Sequence, residues 1–189
     1  MKKIYLSLFL FAAVYGCRIE QKNADTALDA EIAALDTPHK LADYYEAVRN
    51  ADQSVRTAEQ QALQQFGYES PQYKAAYETM RQTDRTNIRK IEKLYALYGY
   101  PTVNTLGDAA ASAPWLVIHH ADLEPRRRNW PMMREGYKVG AIDDNAMSMY
   151  LNRTYAMQNS GQRLRMQGKF KPKDEIDSLL KLLNLRIAE

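Results

Sequence analysis

Apolar residues recur at intervals of three and four along most of the chain. From Leu41 the series runs through Tyr44, Tyr45, Val48, Ala51, Val55, Ala58, Ala62, Leu63 and Phe66, the spacing of one helix face. Thr37-Pro38 supplies a capping hydroxyl and a first-turn proline, and neither Gly nor Pro interrupts before Gly67. Ser70-Pro71 repeats the start signal. A second stripe follows: Tyr73, Tyr77, Met80, Asp84, Asn87, Ile88, Ile91, Leu94, Tyr95 and Tyr98. Gly99-Tyr100-Pro101 stops it, with glycine past the last periodic residue and proline just beyond. The short turn at Gly67-Tyr68-Glu69 predicts an antiparallel hairpin of two long helices. Heptad-like spacing also permits a coiled-coil dimer through the same faces.

Shorter patterns surround this pair. Residues 25–35 carry enough periodicity for a short helix. Asn104 to Gly107 reads as a loop, and Asp108 can cap an apolar helix. Ala109, Ala113, Leu116, Val117 and His120 fall on one face of it, and Pro114 marks a kink or a second start. This phase predicts that His120 is on the buried side. Leu123-Glu124-Pro125 ends that helix. Arg126 to Arg128 with Trp130, Met132 and Met133 suggests another, finishing near Gly136. Asp143-Asp144 opens the next, whose inner face is Met147, Tyr150, Leu151, Thr154, Met157, Gln158 and Gly161, with Gln162 to Phe170 continuing it. Asp174 begins a last amphipathic helix through Ile176, Leu179, Leu180 and Leu183. No run supports a strand, so the expected fold class is all-α: a long helical hairpin packed with shorter helices, forming one domain over residues 37–189.

The amino terminus has a different pattern. Lys2 and Lys3 precede an uncharged run from Ile4 to Tyr15. That run is shorter than the ~20 residues of a membrane span and has the length of a secretory signal core. Gly16-Cys17 follows, and Cys17 is the single cysteine. Val14-Tyr15-Gly16-Cys17 resembles a bacterial lipobox, in which the cysteine is lipidated and becomes the first residue. The alternative is an ordinary signal peptide cut nearby. The lipobox reading makes residues 1–16 a signal peptide and residues 17–36 a lipidated cysteine with its tether. It places the protein in the bacterial cell envelope, held by diacylglyceryl and palmitate-type chains, of which two or more are needed for stable attachment. Removing the two lysines takes the net charge from +3 to +1, so overall charge says little about partners.

Candidate chemistry lies on these elements. Asp84 and Asn87 interrupt an apolar stripe, and buried polar groups belong in hydrogen-bonded networks; a wet, solvent-facing seam is the alternative. His119 and His120 are adjacent, whereas helical zinc ligands are three or four residues apart on one face, so no metal is implied. No cofactor is implied either. With Asp122 nearby, His120 can serve as an acid–base group, or it can be a core histidine bonded to Asp84, Asn87 or a backbone carbonyl. From Arg153 to Lys173 six basic residues occur without an acid. They form a solvated face, an anion surface or a contact to acidic lipid headgroups. No nucleic-acid-binding motif is present.

These residues resemble the bacterial domain-of-unknown-function family 6624. Its pattern runs Asp-x-x-Asn on a helix, Gly-Trp-Pro, a Gly before an Ala-rich helix, Gln-His-Ala-Asp, then Tyr-Leu-x-Asp-Arg and Gln-x-Tyr-Gly-Thr-Gln. Here Asp84-Arg85-Thr86-Asn87, Gly99-Tyr100-Pro101, Gly107 and His119-His120-Ala121-Asp122 take the first four places. Tyr150-Leu151-Asn152-Arg153 follows, with Asn152 in place of the aspartate. Gln162-Arg163-Leu164-Arg165-Met166-Gln167 keeps the two glutamines. The resemblance covers about residues 84–167 and implies that Asp84, Asn87, His120, Arg153, Gln162 and Gln167 belong together. Two functions fit. One is an envelope module that binds a protein or small anionic ligand in a polar pocket around His120. The other is a hydrolase- or transferase-type enzyme with His120 as general acid or base, Asp84 or Asp122 orienting it, and Arg153 holding an anionic group.

Overall fold

The computed structural model describes residues 25–165 and 171–187. The chain divides into two units, one up to Asp36 and one from Thr37. The first contributes helix α1, residues 25–33.

The second unit starts at the two proline-led signals. Thr37 accepts the Lys40 amide at 3.2 Å and opens α2, Pro38–Phe66; Ser70 accepts the Tyr73 amide at 3.1 Å and opens α3, Pro71–Tyr98. Each helix ends at a glycine with positive φ, Gly67 at 80° and Gly99 at 71°, a backbone state that costs glycine little. Leu41, Tyr45 and Val48 of α2 and Ile88, Ile91 and Leu94 of α3 are buried. The two helices pack as the expected hairpin, and α4, Val103–His120, lies against both.

Helix α4 starts earlier than its pattern suggested. One turn forms before Gly107, whose φ of 83° and ψ of 169° break the helical path. The helix then continues through Pro114 and buries a wide arc: Ala110, Ala111, Ala113, Pro114, Val117, Ile118 and His119. The small alanines of this arc let α2 and α3 approach it closely.

Helices α5, Leu123–Arg128, and α6, Trp130–Lys138, follow at once. Gly136 lies inside α6 instead of ending it. An added Cβ there would sit 2.5 Å from the Tyr100 ring and 2.9 Å from Ile142 Cδ1. Its role is close approach, and the helix runs on to Lys138. Asp143 accepts the Ala146 amide at 2.7 Å and caps α7, Asp144–Gln158, which packs against α8, Pro172–Leu182. The expected continuation of α7 past Gln162 does not form: residues 159–165 are non-helical. Met157 and Gln158, expected on the inner face, are exposed. Every regular element among the described residues is a helix, and the fold is all-α.

Candidate functional site

The centre of the polar network is Asp52 on α2, a residue the pattern reading passed over. It is fully buried. Arg56, one turn on, meets it through two hydrogen bonds, Nη2 to Oδ1 at 2.9 Å and Nε to Oδ2 at 3.2 Å. Gln53 donates to Oδ2 at 2.8 Å. The imidazole of His120 faces the same carboxyl from the end of α4, with Nδ1 3.0 Å from Oδ2 and 3.3 Å from Oδ1. Arg56 then reaches across the hairpin to Asp84 Oδ1 at 2.5 Å and touches Met80 Sδ at 3.5 Å. The result is one chain of partners, His120–Asp52–Arg56–Asp84, spanning three helices.

The two carboxyls respond differently to this setting. Burial pushes the Asp52 carboxyl up, but hydrogen bonds from His120 and Arg56 outweigh it and hold the group at about 2. Asp84 is pushed up, by burial first and by the neighbouring Asp52, against the pull of Arg56. A single guanidinium serves both, and Asp52 has the larger share through its two-point contact.

The histidines correct the expected phase. His119 is the buried one, at 8% exposure. His120 retains 19% of its side-chain surface, beside an Asp52 side chain at 1%. The Gly107 break and the wide buried arc of α4 make one helical stripe a poor guide to which ring points inward. His119 stacks on Trp115, one turn back, with centroids 4.8 Å apart, and its Nδ1 is buried without a hydrogen-bond partner. Burial, then the Arg126 and Arg153 guanidiniums, push this imidazole down to about 3, so it is neutral at physiological pH.

The remaining expected residues fall around this centre. Asn87 donates to the Val48 carbonyl at 3.4 Å and is a helix–helix tie. Asp122 does not orient His120; it pairs with Arg81 at 2.8 Å on the surface. Arg153 is half-buried, and among the described residues it makes no hydrogen bond or ion pair. Burial, then Arg56 and Arg163, disfavour its charged form, while Asp84 and Asp122 favour it. Arg153 lies beside the network without bonding to His120. Gln162 lines a surface cavity with Asn152 and Arg163. Cys17 and Gln167 lie outside the described residues. No group of three or more His, Cys, Asp or Glu side chains suited to a metal ion occurs among the described residues.

A signal for Asp52 was present. Leu41, Tyr45, Val48 and Asp52 are spaced four, three and four, and all are buried. Asp52 is a polar residue on an apolar stripe, the same anomaly that drew attention to Asp84. The neighbouring Ala51 and Val55 offered a competing register.

Asn152, which stands where the resembled family has an aspartate, is used at both ends of its amide. Oδ1 accepts the Leu164 amide at 3.0 Å, and Nδ2 donates to the Leu164 carbonyl at 3.0 Å and to Glu175 Oε1 at 2.6 Å. An ionised aspartate accepts only, so it could not serve the carbonyl or Glu175. No family model matches the chain, and no curated protein or solved structure is significantly similar to it.

Proposed function

We propose that this is an exported, lipid-anchored protein of the bacterial cell envelope whose helical body binds a ligand at the open edge of His120. The observation that carries the binding reading is the Asp52–His120 contact. A fully buried carboxyl holds Nδ1 at 3.0 Å and so fixes the ring, while Nε2 makes no hydrogen bond among the described residues. A ring held by a buried carboxyl and left open on its other nitrogen is arranged for an outside group. Asp84 and Arg153 border the same region. Membership of the family resembled by residues 84–167 belongs to the proposal, as does lipidation of Cys17. Among the described residues no helix is long and apolar enough to cross a membrane; acyl chains on Cys17 would supply the attachment.

The test is denaturant unfolding of wild type beside His120→Ala. Asp52 keeps Arg56 and Gln53 in the variant, so the expected loss is below about 1 kcal/mol, or there is a gain, as ligand-site residues often show. A loss of about 2 kcal/mol or more would make His120 a structural member of the network and remove the basis of the proposal.

The same contact favours a second reading. A histidine whose Nδ1 is held by a buried carboxylate presents Nε2 as a general base, the relation that acyl-transfer enzymes use. In that reading His120 moves the proton, Asp52 orients it and Arg153 holds an anionic part of the substrate. Turnover of chromogenic ester or phosphoester substrates, lost in both His120→Ala and Asp52→Asn, would select it over plain binding.

A further inference from the structure

The two histidine rings face different elements, and the His119 side opens onto a cavity of its own. It has a volume of about 340 Å³ and lies between α4, α7, α8 and the segment after α7. His119, Asn152, Arg153, Arg163 and Glu175 are among its lining residues. Three observations bear on what it holds. Among the described residues neither Arg153 nor Arg163 has a hydrogen bond or ion pair. The Glu175 carboxyl is already engaged by the Ser148 hydroxyl and by Asn152 Nδ2. The His119 ring, more than nine-tenths buried, closes one side, with its Nδ1 shut off from solvent.

We propose that this cavity is a binding site for a phosphate-type oxyanion, either inorganic phosphate or the head of a phosphate monoester, held by Arg153 and Arg163 against a wall that includes the His119 ring. The chemistry follows from the donor set. Two guanidiniums line one cavity and neither is ion-paired among the described residues; Arg163 disfavours the charged form of Arg153, and Asp84 and Asp122 offset this only in part. A dianion removes that repulsion while accepting fork-shaped hydrogen bonds. The His119 ring forms part of the wall, but its Nδ1 is closed off from solvent, so the two guanidiniums supply the hydrogen bonds to the anion. The site is also built. Asn152 clamps both the amide and the carbonyl of Leu164, which fixes the backbone next to Arg163. Trp115 fixes the other wall, with its ring against His119 and its indole N–H on the Ala146 carbonyl at 3.0 Å. This inference goes beyond the His120 reading and shares only Arg153 with it, since His120 meets Asp52 of α2 while His119 lines the cavity beside α7.

The test is calorimetric titration of the full chain in detergent with inorganic phosphate and with glycerol 3-phosphate, using glycerol as the uncharged control. Saturable binding of either phosphate and none of glycerol is expected; which phosphate binds more tightly identifies the source of the oxyanion. Arg153→Gln and Arg163→Gln should each weaken binding by about tenfold or more, the worth of a charge-assisted hydrogen bond. Arg163 is exposed, so its variant tests the site with the fold intact. His120→Ala, which removes no guanidinium from the cavity, should weaken binding less than either arginine variant. The proposal is overturned if neither phosphate binds, or if Arg163→Gln binds as wild type does. It is equally overturned if His120→Ala abolishes binding while Arg153→Gln does not.

Discussion

Among the described residues Arg126 is the largest fully buried side chain, and its charge makes it costly to bury. It is completely enclosed and has no carboxylate partner among its contacts. Instead Nη1 donates to the carbonyls of His119 and, at 3.3 Å, Ile118, Nη2 donates to the Tyr150 carbonyl, and Nε donates to Thr154 Oγ1 at 3.0 Å. The guanidinium also lies 4.5 Å from the Tyr150 ring centroid. Two of the carbonyls belong to the last turn of α4, where the helix dipole is negative and acceptors lack full helical partners; Ile118 also accepts the Ala121 amide at 3.3 Å. Arg126 therefore caps the helix that carries both histidines. Lysine keeps the charge but cannot reach these acceptors in a planar fork. Arg126→Lys is expected to cost about 2–4 kcal/mol in urea unfolding, because buried acceptors and part of a buried charge lose their partners. A cost below about 1 kcal/mol would show that the fork is dispensable. Nothing in the sequence distinguished Arg126 from Arg127 and Arg128, since three adjacent arginines differ only in which side of a short helix they occupy. Asp84, by contrast, was legible, because it interrupted a long and regular stripe.

Long, capped elements were legible to the residue; short ones were legible only in outline. Helices α2 and α3 begin at Pro38 and Pro71 and end before Gly67 and Gly99, where capping and glycine chemistry placed them. Helix α6 shows why shorter elements resist. Gly136 follows a short apolar run and reads as a stop, yet its backbone is helical and its missing side chain makes room for Tyr100. A glycine needed for a backbone angle and a glycine needed for close approach are identical in sequence; only the neighbouring element tells them apart. Tyr100 is itself buried, and Glu135, the residue before Gly136, accepts the Tyr95 hydroxyl at 2.6 Å and the Tyr100 amide at 3.3 Å. Glu135 thus ties the end of α3 and the residue beyond it to α6. Gly136→Ala puts a methyl group where the Tyr100 ring now lies. It should destabilise by about 1–3 kcal/mol in spite of alanine's better helix propensity. The pair Gly136→Ala with Tyr100→Ala should lose less than the sum of the two single losses. A stabilised Gly136→Ala variant would return the glycine to the role the pattern first suggested.

Acid response is a property of the whole molecule, because its two main contributors lie on opposite sides of α4. His119 is held at about 3, against 6.5 for a free imidazole. The folded chain therefore refuses a proton that the unfolded chain accepts, and the stability tied to this group is fully present above pH 6.5 and lost as pH falls toward 3. Asp52 is held at about 2 against 3.8; its contribution is present above pH 3.8 and lost as pH falls through 2. Asp84 acts the other way, since its folded carboxyl binds a proton more readily than an unfolded one, and it offsets part of the Asp52 limb. Exposed pairs such as Arg81–Asp122 add little. Unfolding free energy should thus fall in two limbs, an upper one below pH 6.5 of a few kcal/mol belonging to His119 and a lower one below pH 3.8 belonging to Asp52. His119→Asn should flatten the upper limb and leave the lower. Asp52→Asn should do the reverse, while lowering stability at neutral pH because Arg56 keeps only Asp84. If His119→Asn followed the wild-type profile through the upper limb, the ring would be accepting its proton in the folded state. The cavity with Arg153 and Arg163 would then gain a third positive charge in acid, and phosphate affinity, measured across the same range, would rise where stability had been expected to fall.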